Sequence, residues 1–326
     1  MTEDALIAQL RDRLAGVPDA RLLVGIGDDA AAWQPSRSNR SVITTDALVE
    51  GVHFRRGAMA ASAIGHRALA ANLSDLAAMG ARPVLATVAV GVPPDLEDAW
   101  LPACYDGIAA LATRARCAIA GGDVTRAPVL MLAITAVGEV RASSLKTRAG
   151  ARPGDVLAVT GPLGSSRAGL CLALERPDLR GADPLFVDAL GTFLTPEPRL
   201  REGRWLAGSR HVHALIDTSD GLSTDLARLC AASASGAELD TIPVHPAAAA
   251  VAALSGEDAE AWARDGGEDF ELLAAIDRRA FGHLAKRFLA HTGRPLLRVG
   301  TVVAGSGVRD HNGSPVTPAG WDHLRA

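Results

Sequence analysis

Apolar and polar positions follow two rhythms along this chain. Short apolar runs bounded by Gly, Pro, Asp and Ser read as strands, and longer stretches with apolar residues three and four apart read as helices. In the first half this predicts a helix to about Leu14, strands at Leu22–Ile26 and Val42–Thr45, and a helix over Ala61–Met79. A strand at Val84–Val90, a helix over Asp95–Ala115 and strands at Ala118–Ala120 and Val129–Val137 follow. The segment from Lys146 to Asp155 is polar and broken by Gly150, Pro153 and Gly154, which predicts a boundary between domains at 1–143 and 144–326. The second half restarts with a strand at Val156–Val159, helices between Ser165 and Leu206, a strand at Leu215–Ile216 and a helix from about Ser223. Further units run to about Val303, and Asp310–Pro315 reads as a turn. The alternation predicts an α/β (α+β) fold. No long internal repeat is visible.

Acidic residues gather where the apolar runs stop. Gly25-Ile26-Gly27-Asp28-Asp29 follows Leu22-Leu23, Thr44-Thr45-Asp46 follows Val42-Ile43, and Gly121-Gly122-Asp123 follows Cys117–Ala120. Asp217-Thr218-Ser219-Asp220-Gly221 follows Leu215-Ile216, and Gly266-Gly267-Glu268-Asp269 precedes Phe270-Glu271-Leu272-Leu273. Strand ends are where α/β proteins place ligands. Two like charges at ~4 Å repel by about 4 kcal/mol at an effective dielectric of about 20, so carboxylates sharing a cleft need cations. Oxygen-only donors suit several Mg²⁺ ions, each completed by substrate phosphates.

Two nucleotide motifs are excluded. Gly25–Ala30 matches G-x-G-x-x-A, but two aspartates inside that turn would repel a pyrophosphate. Gly161-Pro162-Leu163-Gly164-Ser165-Ser166 lacks the lysine of a P-loop. The helix Ala61–Met79 is apolar nearly all round from Ala68, which predicts burial, yet it carries Asn72, Ser74 and Asp75. Asp75 either lies on a thin solvent stripe or holds a metal or phosphate; the cost of an unpaired buried carboxylate favours the second. Around Asp217 and Asp220, Ser223 or Thr224 is placed to cap the next helix, and Asp225 reads as a first-turn acid. The Gly121-Gly122 pair suggests a backbone that a ligand approaches closely. His53 and Tyr105, each read alone, are core residues.

Composition narrows the class. The chain has 326 residues, 48% hydrophobic and 21% charged, which fits a globular protein of enzyme size. A formal charge of −4 and scattered arginines give no footprint for nucleic acid. Lys146 and Lys286 are the only lysines. Cys104, Cys117, Cys171 and Cys230 form no C-x-x-C pair and predict core packing in a reducing compartment. Met1-Thr2-Glu3-Asp4 reads as a helix start capped by Thr2, not a signal peptide. The apolar runs fall short of the ~20 residues of a membrane span. The expectation is a cytoplasmic enzyme.

The same clusters, with His53-Phe54, Asn72–Ala81 and Gly266–Leu272, closely resemble the thiamine-monophosphate kinase family, in that family's order and over almost the whole chain. The resemblance extends to a superfamily with aminoimidazole ribonucleotide synthetase and selenophosphate synthetase. It implies an N-terminal α/β domain that forms a β-barrel across a homodimer, a C-terminal α/β domain, and ATP bound between them. By position it implies Mg²⁺ ligands at Asp29, Thr44, Thr45, Asp46, Asp75, Asp123, Asp217 and Asp220. Nucleotide contacts fall on Tyr105, Gly122, Asp123, Arg148 and Ser219, and thiamine-phosphate contacts on His53, Glu268 and Trp321. Asp29, Asp46, Asp75, Asp123 and Asp220 would carry catalysis. The implied reaction is direct phosphorylation of thiamine phosphate by ATP, without a phosphoenzyme, because a phosphate acceptor needs no strong base. A selenophosphate synthetase would want an N-terminal cysteine, and a hydrogenase-maturation relative a C-terminal one; this chain has neither. A different enzyme of the superfamily, a Mg²⁺-dependent phosphohydrolase and a non-catalytic ATP sensor are the competing readings.

Overall fold

The structure is a computed structural model that describes residues 3–14, 21–26 and 30–321. The chain divides into two compact units, Met1–Leu76 with Ala81–Ala142, and Ala77–Gly80 with Ser143–Ala326. The expected cap at Thr2 lies outside the described residues.

The first unit runs α1 (Glu3–Leu14), β1 (Leu22–Val24), β2 (Ala32–Trp33), β3 (Asn39–Val49), α2 (Ala61–Ala78), β4 (Arg82–Val92), α3 (Trp100–Ala115), β5 (Ala118–Arg126) and β6 (Met131–Arg141). Four strands form a sheet in the order β3-β6-β4-β5. β6 runs antiparallel to both β3 and β4, and the parallel β4–β5 pair is joined through α3, as a parallel connection requires. The sheet is open, with β3 and β5 at its edges, so the described residues of this chain close no barrel. Ile64, Leu69, Leu73 and Leu76 of α2 are fully buried, which explains a helix apolar on every side.

The two edge strands of this sheet run furthest beyond what the apolar pattern predicts. Val42–Thr45 extends to Asn39–Val49 because β6 pairs with all of it, polar residues included. Ala118–Ala120 extends to Arg126, so Gly121-Gly122-Asp123 lies inside β5 and not beyond its end. Thr44-Thr45-Asp46 is likewise mid-strand.

The second unit contains β7 (Val156–Val159), α4 (Ser165–Leu170), α5 (Pro184–Leu194), α6 (Leu200–Ala207), β8 (Val212–Asp217), α7 (Leu222–Ala232) and β9 (Gly236–Leu239). It continues with α8 (Pro246–Ser255), α9 (Ala259–Asp265), β10 (Leu272–Ile276), α10 (Arg278–Thr292), β11 (Leu297–Val303) and β12 (Gly307–Asp310). The sheet order is β12-β9-β11-β7-β10-β8. Successive residues of the central strands enter opposite cores: Leu157 and Val159 pack with Ile216 and Leu226, whereas Ala158 packs with Leu215, Ala274 and Phe288. Both faces are covered, so these strands read as unbroken apolar runs. The four cysteines are free and buried. Among the described residues no helix is long and apolar enough to cross a membrane.

Candidate active site

In the first unit, the sheet carries polar residues on both faces. Thr45, Thr135 and Thr87 stand opposite one another across β3, β6 and β4, with Gly121 next in register on β5. Thr135 Oγ1 donates to Thr45 Oγ1 at 3.1 Å. Thr87, Thr135, Gly121, Gly122 and Asp123 line a cavity of about 750 Å³ that Tyr105 of α3 and Gly25-Ile26 also border. That volume falls in the range of small-molecule sites. Tyr105 is buried, and burial pushes its phenol up. It is therefore both a core residue and a wall of the cavity.

Side chains alternate along a strand, so Thr44 and Asp46 leave β3 on the side opposite Thr45. Thr44 Oγ1 donates to Asp75 Oδ2 of α2 at 2.5 Å. Asp75 is half-buried and partnered, which replaces the picture of an unpaired carboxylate in an apolar helix. Asp46 is exposed, and its Oδ1 accepts its neighbour's Ala47 N–H at 3.0 Å. The ligand set implied for this unit is thus split between two faces of one sheet. Asp29 lies outside the described residues. His53 Nδ1 accepts the Val49 N–H at 3.0 Å, which leaves a neutral ring's proton on Nε2.

The glycine pair has a different explanation from the one its sequence suggests. A Cβ on Gly122 would lie 1.9 Å from the Val88 carbonyl oxygen, whereas one on Gly121 would meet nothing within 4 Å. Gly122 is required by the close approach of β4; only Gly121 leaves open space.

In the second unit, the β8–β10 ladder pairs Asp217 with Leu272, so the residues just beyond the two strands run side by side. Thr218 N donates to Glu271 O, Glu268 N to Ser219 O at 2.8 Å, and Phe270 N to Thr218 O. Trp321 N reaches Asp220 O at 3.1 Å. Asp217, Ser219, Asp220, Glu268 and Trp321 therefore meet at one acidic turn, although they come from three distant stretches of sequence. Asp217 is buried, Asp220 half-buried and Trp321 exposed. Arg148 lies on a loop whose carbonyl accepts Ser233 Oγ, and its side chain is exposed.

Sequence reasoning missed Arg228 and undervalued Asp225. Arg228 bridges Asp220 and Asp225, so Asp220 already has a cation of its own chain. Asp225 is buried, takes the Asp220 N–H at 3.0 Å, and is pushed up to about 6 chiefly by burial. It is more than a first-turn acid: it fixes the backbone of the turn. The three-residue spacing of Asp225 and Arg228 was the available clue. The expected caps are also reassigned. Gly221 occupies the N-cap of α7. Ser223 Oγ donates to Asp265, and Thr224 Oγ1 accepts the Gly320 N–H. The Gly320 bond, with that of Ala319 N to Ser223 Oγ, ties the tail before Trp321 to the turn.

Residues 27–140 match the family described as AIR synthase related protein, N-terminal domain, and residues 152–309 match the AIR synthase related protein, C-terminal domain. The two matches together span most of the chain, which belongs to that family. Thiamine-monophosphate kinase from Rhodopirellula baltica is 38% identical over 94% of this chain and 91% of its own. The crystal structure of thiamine-monophosphate kinase from Stenotrophomonas maltophilia K279a is 36% identical and covers 97% of this chain and 98% of its own, with a TM-score of 0.84. AaThiL complexed with AMPPCP and TMP is 29% identical, covers 98% and 96%, and has a TM-score of 0.79. Within the wider group, the chain belongs to the thiamine-monophosphate kinase family.

Proposed function

We propose that the chain transfers the terminal phosphoryl group of ATP to thiamine monophosphate, giving thiamine diphosphate and ADP. The observation that carries this is the turn Asp217–Asp220 held against Glu268 and Trp321, in a chain whose relatives of nearly equal length are thiamine-monophosphate kinases. The AaThiL complex with AMPPCP and TMP supports both substrates.

Residues 1–143 form the nucleotide- and metal-binding domain, and residues 144–326 complete the acceptor site. In the first, Tyr105, Gly122 and Asp123 border the nucleotide cavity. In the second, Arg148 and Ser219 contact the nucleotide phosphates. Glu268 and Trp321 bind the acceptor, and Trp321 lies against the cationic thiazolium, a contact worth ~0.5–2 kcal/mol. The donors available to Mg²⁺ are all oxygen: carboxylates of Asp29, Asp46, Asp75, Asp123, Asp217 and Asp220, and hydroxyls of Thr44 and Thr45. Among the described residues no three acids, histidines or cysteines converge, so substrate phosphates would complete each ion's shell, as Mg²⁺ accepts. Bound Mg²⁺ would neutralise the charge that two polyanions bring together. The acceptor oxygen is largely ionised near neutral pH, so this chain's residues orient it and remove no proton.

The open sheet supports the reading that the N-terminal domain forms a β-barrel across a homodimer. β3 is a long edge strand with Ile43 exposed on it, the kind of edge that proteins cover. Buried free cysteines favour the cytoplasm.

Incubation of the protein with ATP, Mg²⁺ and thiamine monophosphate, with product identification, tests the reading. Thiamine diphosphate and ADP in equal amounts support it, as does little turnover of free thiamine. Phosphate release without an acceptor would mark a phosphohydrolase, ATP binding without turnover a sensor, and equal turnover of thiamine and its phosphate would sink the assignment.

A further inference from the structure

The Gly161–Ser166 turn, which cannot serve as a P-loop, is occupied by acids of its own chain. Gly164 N donates to Asp269 Oδ2 at 2.6 Å and Ser166 N to Asp269 Oδ1 at 2.9 Å. Two residues on, the buried Glu271 takes three donors. Arg199 Nη2 reaches Oε1 at 2.7 Å, Arg294 Nη2 reaches it at 2.6 Å, and Thr160 Oγ1 donates to Oε2 at 2.5 Å. Gly161 makes room for this: its Cβ would lie 2.5 Å from Arg294 Nη2 and 2.6 Å from Glu271 Oε1.

The two residues that flank Asp269 are strained. Glu268 has φ 64° and Phe270 has φ 49°, both in the left-handed region. Such conformations cost about 1–3 kcal/mol each and persist only where the surroundings over-determine them. Here the side chains of Asp269 and Glu271 pin the loop from one side. From the other, the Glu268 and Phe270 N–H groups are bonded to Ser219 and Thr218 carbonyls.

We propose that Arg199 and Arg294 are positioning residues for the acceptor site, which through Glu271 lock the 266–271 loop so that Glu268 stays beside Ser219. The inference rests on the reading of Glu268 as an acceptor contact. Removing Glu271 would leave two arginines without their partner, a severe loss. Removing one arginine leaves Glu271 with the other, so Arg199→Met and Arg294→Met keep the fold and isolate the effect.

Steady-state kinetics of the full chain with thiamine monophosphate and ATP provide the first test. Arg199→Met should raise KM for thiamine monophosphate about tenfold or more while KM for ATP stays within about twofold, since a small misplacement acts on the group it positions. Arg199→Lys should recover part of the loss. The double variant Arg199→Met with Glu268→Gln should be little worse than Glu268→Gln alone, because both act through one contact. Amide hydrogen exchange gives a second readout that does not depend on activity: the Glu268 and Phe270 amides should exchange faster in Arg199→Met, while the amides of β8 do not. Unchanged KM values in an active enzyme, additive effects in the double variant, or equal protection of those two amides would overturn the inference. A wild type that makes no thiamine diphosphate would instead overturn the functional reading, and the exchange result would still decide the loop.

Discussion

Replacing each glycine of the Gly121-Gly122 pair by alanine should strike different properties of the first unit. Neither glycine has a positive φ, so alanine brings no backbone strain of its own. At Gly122 the new methyl would stand 1.9 Å from Val88 O and 2.9 Å from Val88 C, inside a parallel ladder where Val88 faces Gly122. Backbone atoms cannot swing away as a side-chain end can, so β4 and β5 must part locally. Overpacking costs about 1–3 kcal/mol, and each ladder bond weakened adds about 0.5–1.5 kcal/mol. The sum is about 2–4 kcal/mol, or roughly 5–15 °C in melting temperature for a unit of this size. At Gly121 nothing lies within 4 Å, so stability should change by less than about 1 kcal/mol and can rise, because alanine narrows the unfolded ensemble. Gly121 does border the cavity assigned to the nucleotide. There the methyl should weaken Mg²⁺-ATP binding by about tenfold, a loss near 1.4 kcal/mol. Melting curves with and without Mg²⁺-ATP, together with calorimetric titration, separate the two. A Gly122→Ala protein as stable as wild type would refute the packing argument. A Gly121→Ala protein that binds Mg²⁺-ATP normally would remove the nucleotide from this cavity.

Asp75→Asn keeps an acceptor for the Thr44 hydroxyl, so it should change stability by under about 1 kcal/mol yet lower turnover about a hundredfold; full activity at low Mg²⁺ would make Asp75 structural. Trp321→Ala should raise KM for thiamine monophosphate about threefold to thirtyfold with kcat little changed, as expected for a contact worth ~0.5–2 kcal/mol; an unchanged KM would remove the indole from the acceptor site. Burial pushes the Asp269 carboxyl up to about 7, above its ordinary value. A folded-state value above the unfolded one stabilises fully below the unfolded value, near pH 4, and that contribution is lost as pH rises through about 7. Asp269→Asn abolishes the slope, at most about 1.4 kcal/mol per pH unit, so denaturation from pH 4 to pH 8 should show the variant gaining on wild type. Parallel curves would mean that the Gly164 and Ser166 N–H groups hold the carboxyl near its ordinary value.

The sequence alone determined the family, the burial of α2 and the acidic clusters, since all three are local: a periodicity, an apolar face or a run of adjacent residues. It also placed Asp217, Ser219 and Asp220 at the end of a strand, where β8 stops. Tertiary structure alone decided what each cluster touches. Pairing with β6 carried β3 past its apolar run, so Asp46 lies within the strand, on the same face as Thr44 and opposite Thr45. The closeness of β4 made Gly122 a packing residue. Arg199 and Arg294 converge on Glu271 because chain topology brings together groups far apart in sequence. Hydrophobic patterning records which side of an element is buried, but it carries no record of the partner across the gap. A buried carboxylate is satisfied by whichever donor the fold delivers, and that donor is chosen by strand order and register.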